Sequence, residues 1–200
     1  MMRVYGYLAG AAVSFSLILG AELDLGSDIP MGDVEMMDVS GERVSLQEAM
    51  GPNGLLVIFS CNTCPWVKAW EDRYLSIADA YLPKGIGMIA INSNEAFRRR
   101  GDSLKDMKGQ AEEMGYDFYY TLDRDSRLAR AFGATRTPHV FLFNPQGELV
   151  YRGAIDDNAR NANKVKQPYL SNAIDQMLSG KPVSVTSTKA LGCTIKFAAE

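Results

Sequence analysis

Two of the three cysteines in this 200-residue chain lie in residues 61–65, with the sequence Cys-Asn-Thr-Cys-Pro. The apolar residues 55–59 before them contain β-branched side chains and predict a buried strand. Residues 67–81 after them repeat apolar and aromatic side chains at a helical period. Backbone N–H groups and the helix dipole stabilise a thiolate where a strand turns into a helix. Because the thiolate attacks disulfides and peroxides, this segment predicts redox chemistry.

The position of the proline suggests which sulfur is the more acidic. Pro65 suits the first position of a helix, since its missing N–H is not needed there. Cys64 then lies at the helix cap, and we expect it to be the attacking sulfur. Cys61, three residues earlier at the strand end, is its expected partner. The alternative without chemistry is an inert disulfide or two buried thiols.

Composition limits the class of protein. Hydrophobic residues make up 46% of the chain and charged residues 22%, which is typical of a globular protein with one domain and a short extension. The formal net charge of −3 offers no broad basic surface, so no nucleic-acid partner is expected. The one basic run, residues 98–100, is interpreted as a solvated loop. The odd cysteine count leaves a free thiol or a pair that changes partners.

The N-terminal residues predict export. Arg3 precedes an apolar stretch, and small residues follow near Ala21, as in a secretory signal peptide. An uncleaved membrane anchor is the alternative, because the stretch approaches the length of a spanning helix. A buried N-terminal helix is the third interpretation. Either export interpretation places the domain in the periplasm, or on the membrane facing it, where thiol chemistry requires an external thiol reductant.

Strand and helix patterns alternate through the remaining chain. Residues 86–91 predict a second buried strand, and residues 140–152 a hairpin around an Asn-Pro-Gln-Gly turn. This order predicts a three-layer α/β/α sandwich with a mixed central sheet, in which reactive residues lie beyond the carboxyl ends of the strands. Capping boxes predict two further helix starts, at Ser45 with Glu48 and at Ser103 with Asp106. We expect a signal or anchor at 1–21, a linker at 22–32, the folded domain at 33–180 and a tail carrying Cys193 at 181–200.

A second motif identifies a family resemblance. Thr137-Pro138 leads into an apolar strand pattern, and a cysteine pair at a strand-to-helix turn followed by such a Thr-Pro resembles the thioredoxin superfamily. The resemblance implies a cis bond before Pro138 that faces the active cysteine. It also implies that the backbone of Thr137 contacts extended substrate chains. Trp66 is expected at the rim of the same site, in contact with substrate, and the reactive sulfur is expected to reach solvent.

The redoxin-type, peroxiredoxin-like branch (AhpC/TSA-type) is a closer match. The similar segments are residues 61–68, 91–94, 151–157 and 192–196, and the resemblance covers residues 30–197. It implies the thioredoxin-like, peroxiredoxin-like form of the sandwich. Aligned through the following Pro and Lys68, Cys64 takes the place of the first thioredoxin cysteine. If residues 61–64 are instead the thioredoxin Cys-x-x-Cys motif, Cys61 attacks and Cys64 resolves. Typical peroxiredoxins carry a Thr where Cys61 stands.

Four functional hypotheses follow. The first is a thiol–disulfide oxidoreductase without a cofactor, in which Cys64 attacks a protein disulfide and Cys61 or Cys193 resolves. The second is a thiol peroxidase, in which peroxide oxidises Cys64 to a sulfenic acid. The third is a copper chaperone that joins the cysteines to His139, since thiolates suit Cu(I). The fourth is an interaction module with structural cysteines. The plainer interpretations are that Cys193 is a small buried hydrophobe and that His139 is an ordinary strand-end residue with no metal bound.

Overall fold

The protein is an α/β sandwich, and this computed structural model describes residues 21–198. The strands are β1 (Met36–Asp38), β2 (Arg43–Val44), β3 (Leu55–Ser60), β4 (Gly87–Asn92), β5 (Tyr119–Leu122), β6 (Arg136–Thr137), β7 (His139–Phe143), β8 (Leu149–Gly153) and β9 (Cys193–Thr194). The α-helices are α1 (Leu46–Ala49), α2 (Pro65–Tyr81), α3 (Leu104–Met114), α4 (Arg127–Phe132) and α5 (Tyr169–Leu178). Apart from Ala21, the predicted signal or anchor lies outside the described residues.

Seven strands form one mixed sheet in the order β2-β1-β5-β4-β3-β7-β8. The strand β3 pairs in parallel with β4 and antiparallel with β7, so it has a hydrogen-bonded neighbour on each side. All six residues of β3 are buried, which explains why its sequence is a continuous apolar run rather than an alternating one. The strands β6 and β9 form a separate two-stranded sheet. The predicted mixed central sheet is confirmed.

Helices cover both faces of the sheet. Leu56 and Ile58 of β3 pack on the side of α2, α3 and α5. Val57 and Phe59 point to the opposite side, where they pack with α1 and α4. Successive side chains of a strand point to opposite faces, so a shift of one residue in β3 would exchange the two cores. The three-layer arrangement predicted from the alternation of elements is confirmed.

Local sequence signals place the helix starts as expected. Ser45 with Glu48 and Ser103 with Asp106 each form the reciprocal hydrogen bonds of a capping box, at the starts of α1 and α3. Pro65 is the first residue of α2, and Cys64 is its N-cap. The strand-to-helix turn therefore lies where the cysteine spacing predicted it.

The segment predicted as a linker lies along the edge strand β8 instead of running free. The N–H of Gly26 donates to the Leu149 carbonyl oxygen at 2.8 Å, and the Leu149 N–H donates to the Ser27 carbonyl oxygen at 2.9 Å. An edge strand leaves backbone groups unpaired, and this segment satisfies some of them. Within residues 21–198, no helix is both long enough and apolar enough to cross a membrane.

Candidate active site

The cysteine turn joins the carboxyl end of β3 to the first turn of α2. Cys64 has extended backbone angles, φ −86° and ψ 121°, which end the strand conformation before the helix begins at Pro65. Cys61 and Cys64 are each 2% exposed, and neither forms a disulfide. The first turn of α2 therefore begins directly beside Cys64, at the position where helix N–H groups and the helix dipole favour a thiolate.

The Thr-Pro peptide faces both sulfurs. The Cys64 Sγ lies 3.2 Å from the carbonyl oxygen of Thr137, and the Cys61 Sγ lies 3.3 Å from the Thr137 Oγ1. The bond between Thr137 and Pro138 is cis. The close approach of these residues, expected from the family resemblance, is present in the structure.

The surroundings make the two sulfurs differ in acidity. The pKa of Cys64 is lowered to about 4, chiefly by the Cys61 thiol, and also by the Cys193 thiol, with burial acting in the opposite direction. The pKa of Cys61 is raised, first by its hydrogen bond to Cys64 and then by burial. No cap hydrogen bond of normal geometry reaches the Cys64 sulfur, although the Val67 N–H still favours its charged form. The proton of the pair therefore stays on Cys61, and the charge on Cys64.

The C-terminal tail brings the third cysteine to the same place. The strand β9 pairs antiparallel with β6, and Cys193 lies opposite Thr137 in the register. Cys193 packs against the apolar cluster that includes Cys61 and Cys64, and its pKa is raised by burial and then by Cys64. The structure thus groups all three cysteines around one residue of the Thr-Pro turn. A polar tail was expected from the sequence, but its pairing with β6 was not.

The expectation of a solvent-exposed reactive sulfur is wrong for this conformation. Cys64 is buried, whereas Cys193 is only half-buried. The tail strand lies beside the sulfur, since Cys193 pairs with Thr137 and packs against the cluster that includes Cys64. A substrate disulfide can therefore reach Cys64 only after part of this cover moves.

A buried carboxyl group that sequence analysis missed holds the cysteine turn in place. Asp102 is fully buried, and its Oδ1 accepts from the Asn62 N–H at 2.8 Å while its Oδ2 accepts from the Thr63 Oγ1 at 2.8 Å. The side-chain amides of Asn92 and Asn94 donate to the same two oxygens at 2.9 Å and 3.0 Å. One carboxyl group thus ties the turn to the segment after β4. The polar Asn-Ser-Asn at 92–94, directly after a buried strand, was the signal in the sequence.

Arg98 of the basic run contributes to this support, whereas residues 99–100 are exposed, as expected for a solvated loop. Arg98 is partly buried, and its guanidinium donates to the backbone oxygens of Asn92 and Asp123, each at 2.8 Å, and of Asp102 at 3.1 Å. The Asn92 and Asp123 carbonyls lie at the carboxyl ends of β4 and β5, and the Asp102 carbonyl lies just before α3. Arg98 therefore fixes the loops under the cysteine turn.

The side chains of His139 and Trp66 make no hydrogen bond to the cysteines. His139 is buried in β7, neither of its ring nitrogens has a hydrogen-bond partner, and burial lowers its pKa to about 4. Among residues 21–198, no three His, Cys, Asp or Glu side chains are grouped so that they could hold a metal ion. Trp66 is 37% exposed in the first turn of α2, with its ring 5.9 Å from that of Trp70.

Comparison with known proteins places the chain in a family. Residues 24–167 match the sequence model of the Redoxin family, which is more than half of the chain, and the chain belongs to that family. A crystal structure of an uncharacterized conserved protein from Geobacillus kaustophilus is 33% identical, with a TM-score of 0.83. That match covers 90% of this chain and 96% of the other. Membership of the redoxin branch of the thioredoxin superfamily, expected from the motifs, is confirmed.

Two more distant matches carry names. The thiol-disulfide oxidoreductase ResA of Bacillus subtilis is 25% identical over 128 residues, which are 62% of this chain and 64% of ResA. The thioredoxin domain of a thiol-disulfide oxidoreductase from Bacteroides vulgatus is 23% identical, with a TM-score of 0.57, over 72% of this chain and 97% of the domain. At that identity the second match shows the shared fold alone.

Proposed function

We propose that this protein is a thiol–disulfide oxidoreductase in which Cys64 is the attacking residue. The observation that carries the proposal is the position of the Cys64 sulfur at the N-cap of α2, beside Cys61 and the Thr137–Pro138 turn, with a pKa lowered to about 4. At neutral pH such a sulfur is charged, whereas an ordinary thiol is mostly protonated. The name of the ResA relative supports the same class of reaction.

The reaction proceeds by two displacements. The Cys64 thiolate attacks one sulfur of a substrate disulfide, the disulfide bond breaks, and the released thiolate takes up a proton. A second thiol, from Cys61 or Cys193, then loses its proton and attacks the Cys64 sulfur. This step releases the second substrate thiol and leaves a protein disulfide, which an external thiol reductant must reduce. Cys61 and Cys64 both contact Thr137, and Cys193 lies opposite Thr137 in the register, so both candidate thiols are near Cys64.

Three further residues are proposed to bind the substrate. Thr137 and Pro138 border both sulfurs, and Trp66 offers a partly exposed aromatic ring at the start of the same helix. The Thr137 hydroxyl and carbonyl oxygens lie beside the two sulfurs, and the Trp66 ring offers apolar area. Export, to the periplasm or to a membrane anchor facing it, stays a proposal that depends on residues 1–21.

A thiol peroxidase is the second candidate, because small oxidants such as hydrogen peroxide reach a nearly buried thiolate more easily than large ones do. Peroxide would oxidise the Cys64 thiolate to a sulfenic acid and release water, and a second thiol would convert the sulfenic acid to a disulfide with loss of another water. The position three residues before Cys64 favours disulfide exchange instead. Cys61 stands there, where typical peroxiredoxins carry a Thr, and it supplies a partner thiol.

A direct comparison of two oxidants tests the proposal. The reduced protein, supplied with a dithiol reductant, is given either bis(2-hydroxyethyl) disulfide or hydrogen peroxide, and reductant consumption is followed with and without protein. We expect the protein to accelerate disulfide reduction more than peroxide reduction, because a neighbouring thiol can resolve a mixed disulfide directly. Acceleration of peroxide reduction alone would favour the peroxidase, and acceleration of neither would contradict both.

A further inference from the structure

The strand β9 occupies the edge of the Thr-Pro turn on which a substrate chain would have to pair. Thr137 lies opposite Cys193 in the register, and Arg136 lies opposite Thr194. The approach is so close that a Cβ on Gly192 would lie 2.1 Å from the Thr137 carbonyl oxygen. An edge that is already paired has no backbone groups left for a second chain.

Contacts on the C-terminal side hold β9 in this position. The Ile195 N–H donates to the Thr135 carbonyl oxygen at 2.9 Å, and the Ile195 side chain is buried at 2% exposure. The Lys196 N–H donates to the Asn94 Oδ1 at 2.9 Å, and the Lys196 carbonyl oxygen accepts from the Ala96 N–H at 2.9 Å. The tail is thus docked on the same loop that Asp102 fixes.

The segment before β9 is docked as well. The Thr188 N–H donates to the Arg152 carbonyl oxygen at 3.0 Å, and the Thr188 hydroxyl accepts from the Ala154 N–H at 2.9 Å. With contacts on both sides, β9 is tethered close to its edge. A tethered segment acts at an effective concentration of about millimolar, so a free chain at micromolar concentration competes poorly with it.

The two candidate resolving thiols differ in their position relative to a substrate that approaches Cys64. Cys61 is buried at the end of β3, where its sulfur lies against the Thr137 hydroxyl. Cys193 is half-buried on the outer strand, so it must move aside when a disulfide approaches Cys64 and can return when the first thiol leaves. A substrate chain paired with Thr137 would prevent that return, whereas a small thiol bound to Cys64 needs no edge.

We propose, on the basis of the proposed function, that β9 excludes extended chains from the Thr137 edge, so that the site takes low-molecular-weight disulfides and Cys193 resolves them. Cys64 attacks the small disulfide and releases one small thiol. Cys193 then attacks the Cys64 sulfur and releases the second small thiol, which leaves a disulfide between Cys64 and Cys193. The substrate gains two electrons and two protons, and a dithiol reductant later returns the protein to its reduced form.

A single oxidation of the reduced protein, without added reductant, tests this assignment. One sample receives bis(2-hydroxyethyl) disulfide and the other receives a disulfide-linked dimer of a short unstructured peptide, both at micromolar concentration. After acid quenching, mass mapping follows the disulfide that forms. We expect a Cys64–Cys193 disulfide to form at least about tenfold faster with the small disulfide, because the peptide must compete with the tethered strand.

A matched pair of glycine variants isolates the contribution of β9. In Gly192→Ala, the new methyl group collides with the backbone of Thr137 and loosens the strand. In the control Gly109→Ala, on the exposed face of α3, the methyl group meets no atom within 4 Å. We expect the first variant to lower the rate ratio between the two disulfides towards one, and the control to keep the wild-type ratio.

Equal rates for the two disulfides in the wild-type protein would overturn the inference, as would a Cys61–Cys64 disulfide as the product. An unchanged ratio in a folded Gly192→Ala variant would also overturn it. If that variant does not fold, the wild-type ratio and the disulfide map still decide. A protein that reacts with the two disulfides equally well through Cys64 retains the proposed function, whereas one that reacts with neither loses both.

Discussion

Replacing Cys64 with Ser will lower the rate of disulfide reduction about 10³-fold or more, the size of effect seen when a nucleophile is removed. A serine hydroxyl keeps the shape of the side chain but does not ionise near neutral pH, so no nucleophile remains at the start of α2. The rate is measured as reductant consumption with bis(2-hydroxyethyl) disulfide, and circular dichroism confirms the fold of the variant.

The other two cysteines provide the matched controls. Cys61→Ser and Cys193→Ser each keep the Cys64 sulfur, so both should still form a mixed disulfide with substrate in a single reaction. The first step should slow only in part, since each thiol helps to lower the Cys64 pKa, and the mixed disulfide should accumulate on Cys64 in the variant that lacks the resolving thiol. Full activity in Cys64→Ser, or loss of the first step in Cys61→Ser alone, would show that Cys61 is the attacking residue.

Replacing Asp102 with Ala will destabilise the protein by about 3 kcal/mol or more, since each buried donor left without a partner costs about 1–3 kcal/mol. Four donors lose their acceptor: two lie on the cysteine turn, and two are the buried amides of Asn92, at the end of β4, and Asn94, just after it. The turn that carries Cys61 and Cys64 should then lose its fixed geometry. We expect disulfide reduction to slow about ten- to hundredfold, as small misplacements of reacting groups do. Urea unfolding and the disulfide assay measure the two effects.

Asp106 provides the control for this prediction. It is an exposed aspartate four residues further on, and it accepts hydrogen bonds only from Ser103 at the start of α3. Asp106→Ala should therefore cause a smaller, local loss of stability and leave the disulfide assay unchanged. If Asp102→Ala were no more damaging than Asp106→Ala, the carboxyl group would not be what holds the cysteine turn.

Features that depend on neighbouring residues were predictable from the sequence. Three such features are the apolar run of β3, the proline at the start of α2 and the capping boxes at Ser45 and Ser103. Each of them depends on residues that are only a few positions apart in the sequence. The placement of Cys64 followed from these signals. Its distance from Thr137 followed from the family resemblance, because no local rule brings residues 73 positions apart into contact.

Features that depend on distant partners were not predictable. The strand β9 has two residues, too few to show any periodicity, and it exists because β6 offers an unpaired edge. Asp102 has no local signature either, since three of its four donors lie on β4 or on the cysteine turn. The segment at 22–32 was assigned as a linker because it is polar, yet backbone hydrogen bonds to β8 do not depend on side-chain polarity.

The pH dependence of alkylation at each cysteine tests the central claim that the Cys64 sulfur is a thiolate. Reduced protein is treated briefly with iodoacetamide at a series of pH values, and mass mapping gives the labelling rate at each of the three positions. Only the thiolate is alkylated, so each rate rises as its sulfur loses a proton. We expect Cys64 to reach half its maximal rate near pH 4, whereas Cys61 and Cys193, whose pKa values are raised, should react only at alkaline pH. A Cys64 rate that rises only near pH 9, or a Cys61 rate that rises first, would contradict it.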